Sequence, residues 1–254
     1  MPARPYVLAE TTYKNVLQTE YEVAVLPWGA TEPHNYHLPY ATDNFEATAV
    51  AIESARLAWE QEARVVVLPT IPFGVNTQQL DLPLAINMHP STQAIVFADV
   101  VESLEQQGVG KLVVLNFHGG NDFRQMIRQL QVNTSVFLAV VNGFEVVPFE
   151  GYFDEGGDHA NEMETSMMLH LNPELVAPLS EAGPGKARLF RIEAFREKWA
   201  WAPRHWSQVT KDTGVGDPRA ATAEKGACYF QAVTKKIAEF FVDLAAADPD
   251  DMYL

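Results

Sequence analysis

Apolar residues along this chain fall in short continuous runs, separated by longer stretches in which they recur at helical spacing. Tyr21 to Trp28 (YEVAVLPW), Arg64 to Pro69 (RVVVLP), Lys111 to Phe117 (KLVVLNF) and Ser135 to Asn142 (SVFLAVVN) are rich in β-branched residues and short, as strands buried on both faces are. Between the first two, Asn44 to Glu62 places Phe45, Thr48, Ala49, Ile52, Ala55 and Trp59 on one helical face. Ser91 to Gln107 reads as a second helix with Ser91 as N-cap and Gly108 as stop, and Asp122 to Val132 as a third. A fourth, entered in the segment Asp158 to Ser166, runs through Met168, Leu169 and Leu171, and Asp217 with Pro218 reads as N-cap and first residue of a long C-terminal helix. Strands that alternate with helices and lack internal polar alternation predict an α/β fold, a mostly parallel sheet flanked by helices on both faces. With no internal repeat and no clear linker, residues 1–254 read as a single domain.

Ligands of such sheets bind beyond the carboxyl ends of the strands, and there the sequence concentrates its polar chemistry. The loop after the first strand, LPWGATEPHNYHLPYATD, carries Glu32, His34, His37 and Asp43. Extended chain projects every second side chain to one side, so Glu32 and His34 can converge on one ion, while Pro33 and Pro39 stiffen the loop that returns Asp43. Imidazole and carboxylate together suit divalent Zn, Mn or Fe. The third strand ends in His118, and Gly119 and Gly120 let the backbone pass close to a bound group before Asn121. A third cluster, DHANEMETS, brings His159, Glu162 and Glu164 to the start of a helix. Acids in a first turn also compensate the helix dipole. Glu162 lies three residues after His159, near it on a helix face, whereas Glu164 points elsewhere unless His159 lies outside the helix. A glycine-containing turn, TGVGDPRAATAEKG, precedes the last helix.

Composition narrows the partners. Eighteen basic against thirty-three acidic residues give a net charge of −15, which argues against nucleic acid and anionic membranes; the partner expected is a small-molecule substrate. A 47% hydrophobic content supplies a sizeable core. Cys228 is the only cysteine, so no disulfide framework exists and a reducing cytoplasm is expected; its helical position predicts a buried thiol. The opening MPARPYVLAETTYKN lacks the apolar core of a signal peptide, and no apolar run reaches the length of a membrane span. The segment from Phe195 to Trp206, with Trp199, Trp201 and Trp206, is a candidate subunit contact or lid over the sheet edge.

Together the four polar segments resemble the creatininase, or creatinine amidohydrolase, family, whose pattern is similar to P-x-G-x-x-E-x-H-G-x-H-L-P-x-x-T-D, N-x-H-G-G-N, H-A-G-E-x-E-T-S and G-D-P-x-x-A-T-x-E-x-G. Here these read PWGATEPHNYHLPYATD, NFHGGN, HANEMETS and GDPRAATAEKG, in the same order. The resemblance implies one α/β domain, a homo-oligomer that is often a hexamer, and a site with two divalent metal ions that hydrolyses a C–N amide-type bond. It implies Glu32, His34, Asp43 and His118 as ligands, with Asp43 bridging the ions. Gly120 stands where creatininase itself has a further glutamate ligand, so Glu164 or Glu162 is expected to replace it. Asn35, Tyr36 and Asn161 also depart from the pattern, and Glu155 and Gly156 replace a Trp-Asp pair that resembles a creatinine clamp, which argues against creatinine. His159 is then expected to carry a proton to the leaving nitrogen, and Asn121 with the backbone at Gly119 and Gly120 to orient the carbonyl. Cyclic amides, formamides and small peptides are the substrate classes so implied. The alternative is a non-catalytic metal or small-ligand binding protein that retains the fold.

Overall fold

Each apolar run forms a strand in the computed structural model, which describes residues 4–254. The strands are β1 (Val23–Trp28), β2 (Val65–Val67), β3 (Lys111–Asn116) and β4 (Phe137–Asn142), all parallel in the order β2-β1-β3-β4. Five longer helices accompany them: α1 (Thr42–Trp59), α2 (Pro90–Gln106), α3 (Arg124–Leu130), α4 (Glu162–Leu171) and α5 (Ala223–Ala246). Because side chains alternate along a strand, β1 and β3 feed two cores at once. Val23, Val25, Val113 and Leu115 join α1, α4 and α5 on one face. Ala24, Leu26, Trp28, Leu112 and Val114 meet Phe97, Val101 and Leu104 of α2 on the other. Both central strands are therefore buried throughout, which explains their uninterrupted apolar sequence.

Several local expectations need correction. The buried face of α1 is Asp43, Glu46, Ala47, Val50, Ala51, Ser54, Ala55 and Ala58, whereas Phe45, Thr48, Ala49, Ile52 and Trp59 are only half-buried. Small residues face the sheet because α1 lies close against it, and the larger ones sit at the margin. Pro90 opens α2 at its first position, so Ser91 is inside the helix and no cap. The third helix is shorter than expected, since Asp122 Oδ1 accepts from the Arg124 amide (3.1 Å) and holds the chain in a turn first. Likewise Asp217 bonds the Arg219 amide and guanidinium, and α5 begins later, capped by Thr222 whose Oγ1 accepts from the Lys225 amide (3.2 Å). Cys228 is exposed, on the face of α5 opposite Tyr229 and Val233. Met1 to Ala3 of the opening segment lie outside the described residues, and among the described ones no helix is long and apolar enough to cross a membrane.

Helices α4 and α5 pack so closely that a Cβ at Gly226 would collide with the backbone at Ser166 and Met167. That contact fixes α4 at the carboxyl edge of the sheet, with its first turn beside the loops that leave β1 and β3.

Candidate metal centre

Glu32 and His34 come from the loop after β1, Asp43 from the first turn of α1, His118 from just beyond β3, and His159 and Glu164 from the entry to α4. All six are at most 8% exposed. Their ligand atoms form three overlapping sets, each within 4.8 Å: Glu32, Asp43 and His118; His34, Asp43 and Glu164; Glu32, His34 and His159. Asp43 is common to the first two.

Backbone carbonyls set the three imidazoles. His34 Nδ1 lies 3.0 Å from the Glu32 carbonyl, His118 Nε2 3.0 Å from that of Val75, and His159 Nε2 2.9 Å from that of Pro33. A carbonyl only accepts, so each of these nitrogens carries hydrogen and the other nitrogen of the ring faces the carboxylates. His34 Nε2 is 2.9 Å from Asp43 Oδ1, and His118 Nδ1 is 2.8 Å from Glu32 Oε1 and 3.1 Å from Asp43 Oδ2. Anchoring one ring nitrogen on a protein acceptor is how metal-binding histidines are oriented. His159 Nδ1 stands farther off, 3.9 Å from Glu32 Oε1, and its ring lies tilted by 36° against His34, centroids 4.2 Å apart. Ala160 holds a left-handed φ of 48°, the bend that carries the chain from His159 into α4.

The charge balance fits divalent cations. Among the described residues, Glu32 and Asp43 form ion pairs with histidines alone, and Asp43 Oδ2 receives no well-directed hydrogen bond despite its burial. Glu46, one turn beyond Asp43, is buried as well, with Oε1 unpartnered. Burial, reinforced by the charges of Glu164 and Asp43, pushes Glu46 well above the usual carboxylate range. Burial also acts to raise Asp43, but His34 and His118 outweigh it and hold the group low. For His34, burial favours the neutral ring, yet the charge and hydrogen bond of Asp43 prevail and push it up to about 10; His118 is raised by Glu32 and Asp43 in the same way. In the metal-free chain, protons thus supply the positive charge that this nest of acids demands. His34 then stabilises the metal-free fold fully below its unfolded value near 6.5, and that contribution is lost as pH rises through about 10.

A ligand must shed such protons. Metal binding at pH 7.5 is therefore expected to release between about one and two protons per chain, measured by titration calorimetry in buffers of different ionisation enthalpy. Uptake without release would show that His34 and His118 do not bind as ligands.

Three residues expected at the site are placed otherwise. Glu162, fully buried, accepts from the amides of Asp154 and Glu155 (2.9 and 2.7 Å) and from Lys225 Nζ (2.5 Å), and lies outside all three ligand sets. It braces the loop that leads to His159. Lys225→Met should remove the cation paired with that buried carboxylate and lower the denaturant midpoint, although the two amides remain. Denaturant unfolding checks this, and metal loss without a stability change would return Glu162 to the site. Asn121 spends its amide on the protein: it donates to Asn116 Oδ1 (2.9 Å) and accepts from the Val75 amide (3.0 Å) and Gln93 (2.9 Å). Its second amide hydrogen points at the Gly29 carbonyl (3.5 Å), so the donors are directed into the protein and not at a substrate carbonyl, and Asn121 steadies the Val75 segment that orients His118. At Gly120 a Cβ would meet that carbonyl and the His118 ring, which leaves no room for the side chain of a ligand. His37 bonds Thr165 Oγ1 (2.8 Å), and burial with the charge of His34 pushes it down to about 4 although Asp212 opposes this.

Sequence patterns overlooked Gln79, which is buried and donates through Nε2 to Glu32 Oε2. It sits in a loop without periodicity, and no local signal marks it. Glu46 was findable, because a helix face begun at Asp43 passes through it three residues on. Above these groups opens a cavity of about 490 Å³, with Glu32, His118 and His159 among its lining residues and Trp201, Arg204 and Trp206 on one wall. Trp206 packs edge-on against His159, with centroids 5.2 Å apart.

The family model for creatininase, described as creatinine amidohydrolase, matches residues 9–241. The crystal structure of a Bacteroides fragilis protein, provisionally described as a creatinine amidohydrolase, superposes with a TM-score of 0.92 at 44% identity, covering 98% of this chain and 99% of that one. The mycofactocin precursor peptide peptidase of Mycolicibacterium smegmatis is 26% identical over 229 residues, 85% of this chain and 83% of its own. A mutant creatininase of Zn–Zn type shares the fold, with a TM-score of 0.80 at 21% identity over 96% of this chain and 100% of its own. The chain belongs to the creatininase family.

Proposed function

We propose that this protein is a two-metal amide hydrolase acting on a short peptide or peptide-like amide. One observation carries the reading: Asp43 belongs to two ligand sets at once, and both metal-facing histidines in those sets are aimed by backbone carbonyls. Glu32, Asp43 and His118 would hold one divalent ion and His34, Asp43 and Glu164 the other, Zn or Mn being the ions that the nitrogen and oxygen donors suit and that creatininase structures carry. Ions in such a pair supply a nucleophilic water at neutral pH and polarise the carbonyl under attack.

The chain's own contribution is the proton. An amine leaves only as it is protonated, and His159 is placed for that task. Its Nε2 is fixed on Pro33, so Nδ1 is the atom that takes up a proton and returns it to the leaving nitrogen. Burial beside Trp206 and His34 keeps bulk water from the ring. The peptide reading draws on the cavity, whose volume suits a ligand larger than creatinine, and on the peptidase among the relatives. Exposed Leu189, Ile192 and Trp199 support a homo-oligomer as the working assembly.

Metal analysis joined to a screen of short peptides, N-formyl amines and cyclic amides tests the reading. Metal-loaded protein that binds such amides but cleaves none would favour the non-catalytic alternative.

A further inference from the structure

Resting on the hydrolase reading, we propose that Trp201 is the specificity-determining wall of the site, a platform for an aromatic ring attached beside the scissile amide. Trp201 is 84% exposed and lines the cavity above the ligand residues, so its ring faces whatever binds there. The indole N–H of each of the other four tryptophans, Trp28, Trp59, Trp199 and Trp206, donates to a protein oxygen, and Trp199, though exposed, lies outside the cavity lining. Among the described residues, Trp201 alone has no such partner.

The residues on either side of it, by contrast, are held. Arg204 bonds both oxygens of Asp158 (3.1 and 2.9 Å) and lies over the Trp206 ring at 4.4 Å, while the Ala200 amide donates to the Ala194 carbonyl (3.2 Å). Asp158 precedes His159, and Trp206 touches it. The loop bearing the free indole is thus registered to the residue that handles the proton. A ring stacked on Trp201 would hold its amide at a set reach from His159 and from the ligands on the cavity floor. Aromatic pairing rewards a flat, polarisable partner beyond simple burial, which an alanine-sized group cannot supply. An aromatic substituent is therefore the chemical class this wall selects.

The test uses metal-loaded wild type, Trp201→Ala and Trp201→Phe on peptides and N-formyl amines in matched pairs, one member with a phenyl and one with a methyl side chain next to the scissile bond. Wild type should prefer the phenyl members. Trp201→Ala should reduce that preference in kcat/KM roughly tenfold, through KM and not kcat, and Trp201→Phe should restore most of it. Equal effects on both members would overturn the proposal, as would light scattering showing that Trp201→Ala breaks up an oligomer with a uniform loss of rate. If wild type cleaves no amide, the hydrolase reading fails by itself. The wall is then judged by calorimetric binding of the phenyl and methyl cleavage products, and phenyl products bound equally by wild type and Trp201→Ala would overturn it.

Discussion

Asp43→Ala is expected to leave purified protein with almost no divalent metal, against close to two ions per chain in the parent, and with no measurable amide hydrolysis. Loss of an outer partner of a metal ligand usually weakens affinity by roughly 10–100-fold. Asp43 is not an outer partner: Oδ1 faces His34 and Oδ2 faces His118 at 2.9 and 3.1 Å, so its removal depletes both ligand sets together. The remaining members would also lose the charge that holds His34 and His118 in place. Glu46 is no substitute, since it belongs to none of the ligand sets. Elemental analysis after gel filtration measures the effect, and a full complement of metal in Asp43→Ala would sink the shared-ligand assignment.

The second large effect separates His159 from Glu164. His159→Ala should keep its metals and lose roughly 10²–10⁴-fold in turnover, the range for a missing general acid or base. Substrates whose leaving amines are weakly basic should suffer less. The geometry behind this is the 3.9 Å from His159 Nδ1 to Glu32, longer than the 2.8 to 3.1 Å by which His118 approaches its carboxylates. Glu164→Gln should instead lose metal and activity together. Glu164 has two duties, because Oε2 also accepts from the Ala160 amide while Asn161 caps the Glu164 amide (3.1 Å), a reciprocal arrangement at the helix start. Glutamine can still accept that bond but brings no charge, so the substitution isolates the metal role proposed for Glu164. Metal loss in His159→Ala, with full occupancy in Glu164→Gln, would exchange the two assignments.

The third motif also shows where reading a sequence stops. His159, Glu162 and Glu164 mark a site by their types, but which acid shares a side with the histidine depends on where the helix begins. Asn161 caps α4, so His159 lies outside it; Glu164 can then turn back toward His34 and Asp43, while Glu162 turns toward Lys225. Capping at Asn161 is local, yet the choice between the two acids is made by α5, which brings Lys225 to Glu162 from 63 residues away.

By itself the sequence determined the strands, the parallel α/β class and the family, because β-branched runs and ordered motifs are local properties of the chain. It named the residues that the structure gathers at the sheet edge: Glu32, His34, Asp43, His118, His159 and Glu164. Tertiary structure alone decided that Asn121 is consumed by scaffold bonds, that Gly120 has no space for a ligand, and that Gln79 reaches Glu32. It also set the buried face of α1 one residue away from the expected one and left Cys228 in the open. The reason is common to all of these. Periodicity specifies that a helix or strand has a buried side, whereas the side buried and the polar atoms left unpartnered depend on neighbours that only the assembled fold brings within a few ångström.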